Sequence, residues 1–312
     1  MARCFVFPGQ GSQSVGMGKS LAEAFPAARE VFEEVDDALG RRLTKIMWEG
    51  PVEDLNLTVN TQPALMAHSL AMVRTLEREA KVDFADARFF AGHSLGEYSA
   101  LCAARAIGLA ETARLLNARG EAMQAAVPAG AGAMAALLGL DIAGAEKAIA
   151  ETDVRLGVCE IANDNAPGQV VISGAKARVE AAAEAARKHG AKMAKLLAVS
   201  APFHCSMMAP AAEIMAKALG AAKIVSPAAP VVANVTARPV ESPSDIRTLL
   251  VKQVTGRVRW TESVDYMARE GGDRFIEIGT GKVLAGLIKR IAKDAAIISL
   301  GEPTDIEHFL KA

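Results

Sequence analysis

The stretch Ala91-Gly92-His93-Ser94-Leu95-Gly96-Glu97 constrains this chain more than any other part of it. Residues 87–91 are short and apolar enough for a buried strand. Residues 95–104 are rich in Ala and Leu, with no breaker beyond Gly96, and predict a helix. Strand, Gly-x-Ser-x-Gly, helix is the setting of a nucleophile elbow. Its turn is so sharp that side chains two positions either side of the serine would collide, and glycine at 92 and 96 removes that collision. Ser94 then stands at a helix N-terminus, where N–H groups and the helix dipole favour a developing oxyanion. A plain Gly-rich turn capped by serine would use the same residues, so the flanking strand and helix carry the catalytic reading.

A chain of 312 residues can bury a sizeable core in one large or two smaller domains. With 51% hydrophobic and 23% charged residues it has a globular composition. A net charge of −1 gives no global field to recruit nucleic acid or an anionic membrane, and neither is expected as a partner. Cys4, Cys102, Cys159 and Cys205 lie far apart, without metal-like spacing, which is the usage of a reducing compartment. The apolar run at the amino terminus reaches Pro8-Gly9 too soon for a signal peptide, and no apolar stretch approaches the ~20 residues of a membrane helix. A cytoplasmic protein without metal or cofactor is the expectation.

Arg3–Phe7 reads as a first buried strand, and Pro8 to Gly18 follows as a Gly-rich loop. Gly18-Lys19-Ser20 could end a P-loop, but Gln13 stands where its first glycine belongs. The dinucleotide pattern fails as well, because Gly9-x-Gly11 is followed by Ser14. Backbone N–H groups in such a loop can serve an oxyanion instead of a phosphate. Thr61-Gln62-Pro63 is expected to cap a helix running to Glu79, with Pro63 in its first turn.

Composition shifts at Pro128-Ala129-Gly130-Ala131-Gly132. From there the pattern predicts strand 133–138, helix 142–151, strand 157–162, a turn over 163–168, strand 169–173, helix 175–189 and strand 192–198. That β-α-β-β-α-β order is the ferredoxin-like one. We therefore expect an inserted small domain at 128–199 within a large α/β domain formed by 1–127 and 200–312. Further strands at 230–235, 274–278 and 295–300, joined to helices by short loops, indicate a mostly parallel sheet covered on both faces.

A serine hydroxyl needs a base, and histidine is the usual one near neutral pH. Five are present. His93 adjoins Ser94 but belongs to the strand, and is expected to point away as core or support. His68 lies within a helix, His189 at a helix end and His308 in the terminal helix. His204, in Ser200-Ala201-Pro202-Phe203-His204-Cys205-Ser206, remains as the candidate base, with a structural role left open.

Taken together these residues resemble the malonyl-CoA:acyl carrier protein transacylases and the acyltransferase domains of polyketide and fatty acid synthases. The motifs are Phe7-Pro8-Gly9-Gln10-Gly11-Ser12-Gln13, Thr61-Gln62-Pro63-Ala64-Leu65, Gly92 to Glu97, Arg119-Gly120, Asn165-x-Pro167-Gly168-Gln169 to Gly174, Pro202-Phe203-His204, and Gln253 with Trp260. The resemblance spans nearly the whole chain. It implies a hydrolase-like α/β core with a ferredoxin-like insert, and malonyl transfer from malonyl-CoA to an acyl carrier protein through a malonyl-serine. By it, Ser94 takes the acyl group and His204 is base and then acid. The N–H groups of Gln10 and Leu95 form the oxyanion hole, and Arg119 pairs with the malonyl carboxylate. Gln253 holds the histidine or an active-site water, with Gln62 in support, and Asn163 and Asn165 lie near the CoA or carrier arm. The residues by themselves would equally let Arg119 pair with Glu121 or Glu111 on the surface. For an acidic carrier, Lys289-Arg290 with Lys282 and Lys293 are the first candidate patch, and Arg187, Lys188 and Lys192 the second.

Overall fold

Two sheets carry the mixed α/β fold of the computed structural model, which describes residues 2–311. The strands are β1 Arg3–Phe7, β2 Phe89–Gly92, β3 Gly132–Leu138, β4 Cys159–Ala166, β5 Gln169–Ala175, β6 Met193–Leu196, β7 Val231–Ala233, β8 Arg238–Val240, β9 Val258–Arg259, β10 Arg274–Ile278 and β11 Ala296–Leu300. The larger sheet runs β11-β10-β1-β2-β7-β8, parallel throughout except for the edge strand β8. The smaller runs β6-β3-β5-β4-β9.

β1 shows why the larger sheet is parallel and central: Cys4, Phe5, Val6 and Phe7 are all fully buried, so both faces must be covered. On one face the rings of Phe5, Phe7, Phe84 and Phe90 pack together. On the other, Cys4, Val6, Phe89 and Ala91 join Val232, Trp260 and Phe275 in a second core. The C-terminal ends of β1, β2 and β7 lead into Gly9-Gln10, Ser94 and Asn234, so one edge of the sheet gathers the reactive groups. Ligands of open parallel sheets bind at that edge.

The smaller sheet is antiparallel except where β9, two residues from far along the chain, joins β4 in parallel. Here the structure corrects the expected turn over 163–168. β4 continues to Ala166, and only Pro167-Gly168 turn the chain. Register shifts between Ile161 and Asn163 and between Asp164 and Ala166 loosen the strand, and bulges of that kind re-aim side chains. Pairing with β9 holds Asn163 and Asp164 in the sheet. No local pattern could announce that partner.

A second correction concerns the helix expected from Thr61. It begins at Thr58, which places Pro63 inside it. Proline leaves the carbonyl four residues back without its helical donor, and Arg41 Nη2 donates to that carbonyl, Val59 O, at 3.3 Å. Helices Leu43–Glu49 and Ala209–Ala221 and strands β8 and β9 were not anticipated. Among the described residues no helix is long and apolar enough to cross a membrane.

Candidate active site

Ser94 sits in the left-handed region at φ 53°, a conformation rare for a residue with a Cβ. The glycines make it possible. A Cβ at Gly92 would fall 1.9 Å from the Gly96 carbonyl oxygen, and one at Gly96 would fall 2.3 Å from the Phe7 carbonyl oxygen. The helix Gly96–Ala103 starts at once behind the serine.

His204 comes from the irregular segment before helix Ala209–Ala221 and is likewise at φ 59°. Its Nε2 lies 2.8 Å from Ser94 Oγ. Its Nδ1 faces two main-chain carbonyls, Gln253 O at 2.9 Å and Gly256 O at 3.1 Å. Carbonyls only accept, so Nδ1 carries the proton and Nε2 is left to accept from the serine. Burial, and then the Arg119 cation, hold the imidazole well below its ordinary value, at about 3. The ring is therefore a neutral base at neutral pH. The third member of this chain is a peptide carbonyl, which orients the ring without adding a negative charge.

The Gln253 side chain makes no hydrogen bond to the imidazole. Its Nε2 donates to Ser94 O at 2.8 Å and to Glu97 Oε2 at 2.9 Å, while its Oε1 accepts from Arg119 Nη2 at 2.9 Å. Arg119, on helix Leu109–Ala125, is 1% exposed. Its Nη1 donates to Gln62 Oε1 at 2.7 Å and its Nη2 to Ser94 Oγ at 3.1 Å, and among the described residues Nε has no partner. The Tyr98 ring lies 5.8 Å from the guanidinium carbon. The surface alternative for Arg119 falls away, because Glu111 pairs with Arg114 and Glu121 accepts from Asn117. A buried guanidinium without a carboxylate beside it is costly unless something anionic completes it.

Ser94, His204 and Arg119 line a cavity of about 190 Å³. Gln10, Leu95, Gln62, Asn163 and Asn165 all border it, walled by Met123, Met134, Val171, Phe203 and Leu287. Among the described residues the amide N–H groups of Gln10 and Leu95 donate to no protein acceptor. Asn165 Oδ1 lies 2.8 Å from His93 Nε2, and Asn163 Oδ1 is buried without a partner among the described residues. His93 thus borders the cleft and props Asn165 in place of pointing away from it. Lys289 and Arg290 lie outside the cavity on helix Val283–Ile291. Arg290 is moreover occupied: it donates from Nη1 to Gln169 Oε1 at 2.7 Å and from Nη2 to Pro167 O. The basic pair is therefore not a pair of free cations.

The Acyl transferase domain family matches residues 4–301 of the chain. The chain belongs to that family. It is 46% identical over 307 residues to the malonyl CoA-acyl carrier protein transacylase of Escherichia coli K12, covering 98% of both chains. Against the Bacillus subtilis protein of the same name it is 43% identical over 303 residues, covering 97% of this chain and 94% of the relative. Among solved structures, the acyl-carrier-protein-S-malonyltransferase of Bartonella henselae superposes with a TM-score of 0.97 at 52% identity, covering 100% of this chain and 99% of the other. A malonyl-transacylase solved in complex with a type II polyketide acyl-carrier protein gives 0.96 at 41%, with the same coverage.

This acyl transferase also uses a residue that sequence reasoning missed. Asn234 Oδ1 accepts from Ser94 N at 2.8 Å, and its Nδ2 donates to Gly92 O at 2.7 Å. One side chain thereby ties both limbs of the strained elbow. The available signal was position alone: Asn234 directly follows a strand ending at the ligand-binding edge. Glu97, quoted in the elbow motif, had been given no role.

Proposed function

We propose that this chain transfers a malonyl group from malonyl-CoA to the phosphopantetheine thiol of an acyl carrier protein, supplying fatty acid synthesis in the cytoplasm. The observation that carries this reading is the buried Arg119 guanidinium 3.1 Å from the Ser94 hydroxyl, with no carboxylate among the described residues paired to it. An acyl donor ending in its own carboxylate completes that cation. The relatives' names point to the same substrates.

In the first half-reaction His204 Nε2 takes the Ser94 proton as Oγ attacks the thioester carbonyl. The negative oxygen is met by the N–H groups of Gln10 and Leu95. Collapse breaks the carbon–sulfur bond, and His204 returns its proton to the departing CoA thiolate, leaving a malonyl ester on Ser94. In the second, His204 takes the carrier thiol proton, the sulfur attacks the ester, and the proton returns to Ser94 Oγ. Asn163 and Asn165 border the path of the pantetheine arm, and Gln62 and Gln253 steady Arg119.

We extend the proposal to the architecture: a hydrolase-like core, 1–127 with 200–312, and a ferredoxin-like insert, 128–199. The strand order β6-β3-β5-β4 and its antiparallel pairing support the second half of it.

A hydrolase would use the same serine with water as acceptor. Labelled malonyl-CoA separates the two. We expect a malonyl-enzyme that persists until carrier thiol is added; label lost to water at the rate of acylation would make the protein a hydrolase. For carrier docking, Lys289 with Lys282 and Lys293 remain candidates once Arg290 is set aside as a partner of the small sheet. Lys289→Glu should raise KM for the carrier severalfold at low salt while leaving acylation by malonyl-CoA intact. Equal damage to both half-reactions would remove the docking role.

A further inference from the structure

We infer that Glu97 is a positioning residue for malonyl recognition, its carboxylate holding the Gln253 amide and, through that amide, the aim of Arg119. The inference rests on the reading of Arg119 above. Glu97 is 1% exposed and lies behind the elbow, away from the cavity. Its Oε2 accepts from Gln253 Nε2 at 2.9 Å and from Asn234 N at 3.0 Å.

An amide donates at one end and accepts at the other. Gln253 Nε2 has two hydrogens, and they meet two acceptors, Glu97 Oε2 and Ser94 O, with Asn234 Oδ1 at the margin, 3.5 Å away. Its Oε1 is thereby turned to Arg119 Nη2. The reverse orientation would set N–H against the guanidinium, which has donors only, and oxygen against a carboxylate. Of the two principal acceptors, Ser94 O is a single main-chain oxygen on the strained turn. Without Glu97 one Nε2 hydrogen loses its partner and the amide is free to pivot about the other bond. Arg119 then keeps Gln62 but loses the fixed acceptor that directs Nη2 toward Ser94 Oγ.

The same chain gives the buried cation a compensating group at one remove. Arg119 has no direct ion-pair partner among the described residues, and Glu97 reaches it through one amide. Burial pushes the Glu97 carboxyl up to about 7, against the Asn234 N–H, the Gln253 amide and Arg119, which act to lower it. Because a glutamine oxygen could accept the same two hydrogen bonds, the inference assigns the work to the acceptor atom at this position.

The test is the ratio of kcat/KM for Ser94 acylation by malonyl-CoA to that by acetyl-CoA, which a loss of folded protein leaves unchanged. Glu97→Met, similar in size but without an acceptor, should lower the ratio about tenfold. Glu97→Gln should recover most of it. Glu97→Asp keeps the buried charge, withdraws the acceptor by about 1.5 Å, and should lower the ratio severalfold; it carries the test where Glu97→Met does not fold. Combined with Arg119→Ala, none of the three Glu97 substitutions should lower the ratio further. A ratio unchanged in Glu97→Asp, a Glu97→Gln as unselective as Glu97→Met, or losses that multiply with those of Arg119→Ala each overturn the inference. Arg119→Ala alone keeps the two ideas apart: if it leaves the ratio unchanged, the reading of Arg119 fails and this inference goes with it.

Discussion

Replacing Ser94 with alanine should abolish the covalent acyl-enzyme and lower kcat for malonyl transfer by at least about 10³. The expectation follows from a single contact, the 2.8 Å between Oγ and His204 Nε2. A hydroxyl becomes a useful nucleophile only while a neutral imidazole accepts its proton, and the paired carbonyls at Nδ1 fix the tautomer that can do so. His204→Ala should therefore be about as severe. The double mutant should be little worse than either single one, because groups acting as a unit fail together. Malonyl transfer from malonyl-CoA to the carrier, measured alongside the amount of malonyl-enzyme formed, distinguishes the cases. Losses that add between Ser94 and His204 would dissolve the pairing.

The second large effect is expected at Arg119. The guanidinium uses one Nη1 bond on Gln62 and Nη2 on Ser94 and Gln253, and among the described residues the Nε hydrogen and one on Nη1 meet no acceptor. A malonyl carboxylate reaching it gains hydrogen bonds to a charged partner, about 1.5–3 kcal/mol each. Arg119→Ala should then depress kcat/KM for malonyl-CoA by about 10²–10³ while transfer of acetyl groups holds or rises. Lysine restores the charge without the planar fork, so Arg119→Lys should recover only part of the loss. Acylation of Ser94 by the two donors, run in parallel, reads the result. If both fall together, Arg119 supports the fold and does not read the substrate.

The elbow was legible because it is local. Gly92, Ser94 and Gly96 lie within five residues and the clash at Gly92 is with Gly96 itself, so the strand, turn and helix could be read from the chain, although Gly96 also makes room for the distant Phe7 carbonyl. Alternation of apolar runs likewise announced the parallel sheet and the β-α-β-β-α-β order of the second one. The proposed catalytic partner was less so: His204 stood out among five histidines partly by elimination, and the family resemblance raised it further. What pairs with Nδ1 is a main-chain carbonyl, which has no letter in the sequence. The same limit hid Asn234 and the partner strand β9, both of which act on residues far away along the chain.

Charge was legible only as composition. The sequence offered Arg119 a choice of nearby glutamates, and only packing could bury it beside Ser94 with amides for partners. It also grouped Lys289 with Arg290, although the fold ties Arg290 to the turn after β4. The sequence by itself determined the elbow, the alternation of strands and helices and, by resemblance, the family. Only the tertiary structure decided which donor meets which acceptor, because hydrogen bonds act over about 3 Å in space and take no account of distance along the chain.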